Sequence, residues 1–160
     1  MVPDHSASLF YVRALNDDYC DELLEKVKDC ARGAATATGA RVNLELQGTY
    51  KSLNTNMSLT QTFKQNLETL GWAFDNVDPK DGIGSTDMGH VSHLVPAIHP
   101  YLSIGPADLV GHSTDFAIAA NSKEGKEAML AAAKALAATA LDILLSPALF
   151  ERVQREFMGG

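Results

Sequence analysis

The chain has 160 residues, 46% of them hydrophobic and 21% charged, with five histidines, two cysteines and a formal net charge of −7. That size and balance suit one domain, or two small pieces, with a real core, and they exclude a disordered polymer. The acidic charge and the scatter of Lys and Arg along the chain exclude a generic binder of the nucleic-acid backbone.

In chain order, residues 6–13 alternate, with Leu9 and Tyr11 on one face and Phe10 and Val12 on the other, which predicts a strand ending at Arg13. Asp17 or Asp18 then caps a helix to about Thr38, whose apolar positions Leu23, Leu24, Val27 and Ala31 follow the helical period. Gly39 stops it. Residues 41–47 alternate again, with Val42, Leu44 and Leu46 on one face. Strand, helix, strand is half of a ferredoxin-like split-βαβ unit. Residues 50–56 read as a linker, and a helix follows from about Ser58 to Leu70, ended by Gly71. Residues 76–86 read as loop. Strand segments are expected near 90–95 and 97–104. Asn121 with Glu124 resembles a capping box for a long Ala-rich helix ending near Leu145. Ser146-Pro147 opens a last helix, with serine as N-cap and proline at the first helical position.

The long helix is interrupted by Lys134 and Asp142, so it is read as a packed helix and not a membrane span. Cys20 and Cys30 share one predicted helix and lie about 15 Å apart along its axis, too far for a disulfide between them. They are expected to be reduced core residues, which fits a cytoplasmic protein.

Four of the five histidines, His90, His93, His99 and His112, fall within residues 90–112, with Asp87 just ahead. Imidazole and carboxylate suit a borderline divalent metal such as zinc. Each residue also has a plainer reading. His112 follows Gly111 and could be an ordinary loop histidine. Asp87 could shape a turn. His90 and His93 share a face only if they sit on a helix. Arg13 suits bidentate binding of a carboxylate, or equally a strand-end salt bridge.

Stretches of the chain nonetheless resemble metal-dependent amidohydrolases and peptidases of the aminoacylase, carboxypeptidase G and aminobenzoyl-glutamate hydrolase family. They are Val2-Pro3-Asp4, Tyr11-Val12-Arg13-Ala14, Ala31-Arg32-Gly33-Ala34-Ala35, Gly84-Ser85-Thr86-Asp87-Met88-Gly89 and Gly111-His112-Ser113. The resemblance spans the whole chain but only the second half of the family's length. It implies an α/β (α+β) fold: residues 1–52 as the second half of a ferredoxin-like lid and dimerisation domain, residues 53–160 as the C-terminal part of a dinuclear-metal hydrolase domain. It also implies hydrolysis of the amide bond of an N-acyl amino acid, aminobenzoyl-glutamate or a dipeptide.

Residue by residue, His112 with Ser113 and Phe116 matches the family's last metal ligand. Arg13, ten positions after Pro3, matches the arginine that binds the substrate's carboxylate. The family's partner asparagine would fall before Met1. Where the family often has a Glu-Asp pair, this chain has Thr86-Asp87, so Asp87, with Ser85 and His90, is expected to support or shape the metal loop and not to ligate. The paired glutamates and early metal ligands have no counterpart, and one histidine cannot hold a zinc ion that takes three or four protein ligands. The isolated chain is thus expected to bind metal, zinc in the complete dinuclear enzyme, weakly or not at all, to be inactive, and to associate with itself. Two alternatives stand beside this reading: a non-catalytic dimerisation or regulatory module, and an independent zinc site built from His90, His93, His112 and Asp87.

Overall fold

The structure, a computed structural model, describes residues 3–73 and 84–159. Among them the regular elements are six helices: α1 (Asp17–Thr38), α2 (Met57–Thr69), α3 (Met88–Ser92), α4 (Thr114–Ala120), α5 (Lys123–Leu145) and α6 (Pro147–Gly159). The expected α/β architecture is therefore wrong for the described residues. The one strand-like pairing among them is a single parallel bridge between Thr55 and Ala97.

The physical reason lies in pairing. A strand takes its backbone hydrogen bonds from a neighbour. The two alternating segments, 6–13 and 41–47, have none among the described residues: Leu9, Phe10 and Tyr11 stand out in solvent, as do Val42, Leu44 and Leu46. Alternation made these segments fit for a sheet without providing one. The expected strand at 90–95 is instead α3 and the turn after it, and residues 97–104 form no regular element beyond the Ala97 bridge. Of the loop read at 76–86, residues 76–83 lie outside the described part.

Helix α1 stands by itself. The Asn16 side chain accepts a hydrogen bond from the Tyr19 N–H, so the cap is one residue earlier than Asp17. Asp17 and Asp18 meet the positive end of the helix dipole. Gly39 takes the left-handed φ of 69° that ends the helix. Pairs one turn apart line the solvent side, Glu22–Lys26 at 2.6 Å and Asp29–Arg32 at 2.7 Å. Among the described residues, helix α1 buries none of its own fully and packs against no other helix. Both cysteines are free; Cys30 is exposed and Cys20 half-buried, so neither is the core residue expected.

The core lies between α2, α5 and α6. On α5, Ala128, Ala131 and Ala135 are buried and followed one turn later by Thr139. These small side chains let α2 come close, and Phe63 and Leu67 fill the space against Ala131 and Ala135. Trp72, Ile98 and Leu102 close over that cluster. A second cluster joins Leu59 of α2 to Leu149 and Val153 of α6. By length and composition α5 could cross a membrane, but its Asp142 accepts a 2.8 Å hydrogen bond from Asn66 of α2. At the α4–α5 corner, Ser122 and not Asn121 caps α5, accepting from the Gly125 N–H. A Cβ on Gly125 would sit 2.4 Å from the Ala119 carbonyl oxygen, so only glycine fits this turn.

Polar groups tie α6 to the start of α2. The Asn56 amide donates to the Val153 carbonyl while its Oδ1 caps the Leu59 N–H. The Glu156 carboxylate accepts from the backbone N–H of both Met57 and Ser58. Partial burial pushes the Glu156 carboxyl up, but these hydrogen bonds outweigh it and hold it below the ordinary glutamate value. A depressed folded-state value means stability that is present above the unfolded value and lost as pH falls through the folded one.

Two measurements check this packing. Phe63→Ala should cost about 3–5 kcal/mol in denaturant unfolding, while truncation of the exposed Leu141 should change stability by less than about 0.5 kcal/mol. For Glu156→Gln, the deficit in melting temperature against the parent chain should be present at neutral pH. It should shrink as pH drops below the ordinary glutamate range, and a deficit independent of pH would contradict the carboxylate's role.

Candidate functional site

The site residues named by the sequence fall into two groups. The first surrounds α3. Asp87 occupies the cap position of this short helix with helical dihedrals and makes no capping hydrogen bond; the Met88 N–H is met by Thr86 Oγ1 at 3.3 Å. Ser85 and Asp87 are exposed. Because residues 88–92 are helical, His90 and His93 do share a side, and both face the connector between α1 and α2. His90 Nε2 lies 3.0 Å from the Thr49 carbonyl oxygen, and His93 Nε2 lies 2.9 Å from that of Ser52. A carbonyl oxygen only accepts, so each Nε2 carries the proton and is committed to that bond. His99 is half-buried, with its ring 5.1 Å from that of Tyr101.

Asp17 of α1 reaches the same connector. Its carboxylate accepts from the Ser52 N–H at 2.7 Å and stands 3.5 Å from Lys51 Nζ and 3.9 Å from His93 Nε2. The Ser52 backbone hydrogen bond holds the Asp17 carboxyl below its ordinary value, against some burial and with help from Lys51. Sequence reading missed this cluster because its two sides lie some forty residues apart in the chain. The one local signal was the pair of small residues Gly89 and Ser92, three apart on a helix face.

The second group is the loop before α4. His112 is the one non-glycine residue at positive φ among those described, at 61°. The bend in this loop is therefore made by the histidine itself, beside Gly111. Such a backbone costs a β-carbon residue stability, and strain of this kind gathers at functional positions. Ser113 follows as the cap of α4; its Oγ accepts from the Phe116 N–H and donates to the Val110 carbonyl. The serine and phenylalanine of the His-Ser-x-x-Phe pattern thus fix the helix start, and His112 is presented in solvent immediately before it.

Arg13 is exposed, with its guanidinium 5.7 Å from the centre of the Tyr11 ring, and forms no ion pair among the described residues. Nor do three His, Cys, Asp or Glu side chains among them converge to hold a metal ion. The residues present therefore do not make a metal site between them, and the alternative of an independent site from His90, His93, His112 and Asp87 has no geometric support.

No family model matches the sequence. Against curated proteins, 160 residues are 39% identical to the Xaa-Arg dipeptidase of Mus musculus, covering 98% of this chain and 37% of the relative. The chain is therefore similar in sequence to a dipeptidase over nearly all of its own length. The human Xaa-Arg dipeptidase is 37% identical over 162 residues, covering 98% of this chain and 36% of its own length. The chain thus spans little more than a third of the dipeptidases it matches.

The strained histidine gives a direct test of cost against use. His112→Gly should raise stability by about 1 kcal/mol, because glycine adopts this backbone freely. A midpoint in urea equal to or below that of the parent chain would show that the loop holds no strain at this residue.

Proposed function

We propose that this chain is part of a metal-dependent dipeptidase that hydrolyses the amide bond of a dipeptide, in the first instance one ending in arginine. The observation that carries this is the identity of 39% extending over 98% of the chain with a protein named Xaa-Arg dipeptidase. In this reading Arg13, exposed and without an ion pair among the described residues, binds the substrate's terminal carboxylate, for which a planar guanidinium with paired donors is suited. His112 offers one imidazole to a divalent metal, zinc by preference. Its remaining ligands would come from outside the described residues. Asp87, Ser85 and His90 shape the surrounding loops and do not ligate. The free cysteines agree with a cytoplasmic location.

A second reading, a non-catalytic association module, is favoured by one observation. Leu136, Leu141, Leu144 and Leu145 leave much of α5 apolar and exposed, and an exposed apolar patch of this kind marks an interaction surface. In that case the chain would be an oligomer in solution with no hydrolytic role.

The assay that separates them follows release of free arginine from dipeptides. The chain is tested alone and after mixing with the part of the mouse relative outside the matched segment. Turnover is expected only in the mixture with zinc present. There Arg13→Ala should raise KM with little change in kcat, and His112→Ala should remove activity. Vigorous turnover by the chain alone would overturn the proposal, as would a mixture that stays inactive while the chain is a stable oligomer.

A further inference from the structure

Residues 89–93 read Gly-His-Val-Ser-His, and four of the five grip the connector that joins α1 to α2. Gly89 admits the connector's backbone: a Cβ there would stand 1.9 Å from the Lys51 carbonyl oxygen. His90 donates to the Thr49 carbonyl and His93 to that of Ser52. Ser92 is fully buried; its hydroxyl donates to the Gly89 carbonyl at 2.7 Å and accepts from the Asn54 N–H at 2.9 Å. From the other side, the first turn of α1 contributes Asp17, which accepts from the Ser52 N–H. Beyond the turn the contact continues as the Thr55–Ala97 bridge and the hydrogen bond from the Asn56 N–H to the Ala97 carbonyl.

This density of contact stands against the rest of α1, which touches no other helix. The connector is therefore where the orientation of α1 is decided. We propose that the turn at residues 89–93 is a clasp. By holding the connector backbone, it sets the direction in which α1 leaves the helical core, and His90 and His93 are positioning residues that serve as its pins. Their Nε2–H donors are spent on main-chain carbonyls, which gives these two histidines a purpose separate from metal binding. The inference is independent of the reading of the chain as a dipeptidase. It uses no substrate or metal.

Helix α1 acts as a lever on such a clasp. Cys30 lies thirteen residues beyond Asp17, about 20 Å along the axis, so a small rotation at the connector moves it by several ångströms. The test places one spin label on the exposed Cys30, with Cys20→Ser removing the other thiol, and a second on Lys126→Cys, which is exposed on α5. The interlabel distance distribution is recorded for the full chain, together with its thermal unfolding. The parent should give one narrow distribution. Gly89→Ala, and separately His90→Leu with His93→Leu, should broaden or shift it while the unfolding transition of the core stays in place. Glutamine at both histidine positions, whose side-chain amide can donate to the same carbonyls, should restore the narrow form. A parent distribution that is already broad would overturn the clasp, as would clasp variants indistinguishable from the parent. Variants that lose the core transition along with the distance would also overturn it, because the turn would then belong to the core.

Discussion

The approach of α2 to α5 is the contact on which the remaining structure is assembled. It exists because α5 presents Ala128, Ala131 and Ala135 in one row, so that Phe63, 1% exposed, can be enclosed by side chains too small to hold it away. The gain is apolar area removed from water and dense packing around one aromatic ring. Thr139 and Asp142 extend the row and turn it polar; both meet Asn66 across the gap. Packing fixes how near the helices come, and the hydrogen bonds fix their register.

The other elements are attached to this pair at named points. Helix α6 is held through Leu149 and Val153 and through Asn56, whose one amide group serves two helices at once. Helix α4 is held by the tight corner at Gly125. The stretch after α3 contributes Ile98 and Leu102 to the core, which brings α3 and the connector along with it. The loop that carries His112 follows this stretch, so the proposed functional residue hangs between a packed segment and a capped helix.

The legible parts of the sequence were those governed by neighbours in the chain. Gly39 and Gly71 end helices with positive φ, as their positions suggested, and Ser146-Pro147 opens α6, with Ser146 Oγ accepting from the Leu149 N–H. The Ala-rich stretch, read as a packed helix, is α5, whose buried alanines meet α2. Segments 6–13 and 41–47 were misread because alternation reports which side chains share a face. It says nothing of whether another strand lies alongside. The stretch 90–95 fits a strand or a helix by period, since Val91, Leu94 and Val95 suit either, and in the structure it is the end of α3 and a turn. At the site, His112 and Arg13 came from the motifs that carry the resemblance to hydrolases. The left-handed backbone at His112 and the carbonyl partners of His90 and His93 did not, because they depend on contacts remote in the chain.

The solitude of α1 has a consequence for how the molecule opens. A helix that buries no residue fully and packs on no other described helix keeps its backbone hydrogen bonds largely by local means, here its caps and its surface ion pairs, and such a helix frays on its own schedule. The amides of α2 and α5 are shielded until the core itself comes apart. Those of α1 beyond the connector lie in a 22-residue segment whose side chains are at most half-buried, so their shielding rests mainly on its coil-to-helix balance, which salt can shift by screening its Glu–Lys and Asp–Arg pairs. One polypeptide therefore carries two stabilities, and hydrogen exchange would resolve it into a slow body and a fast arm.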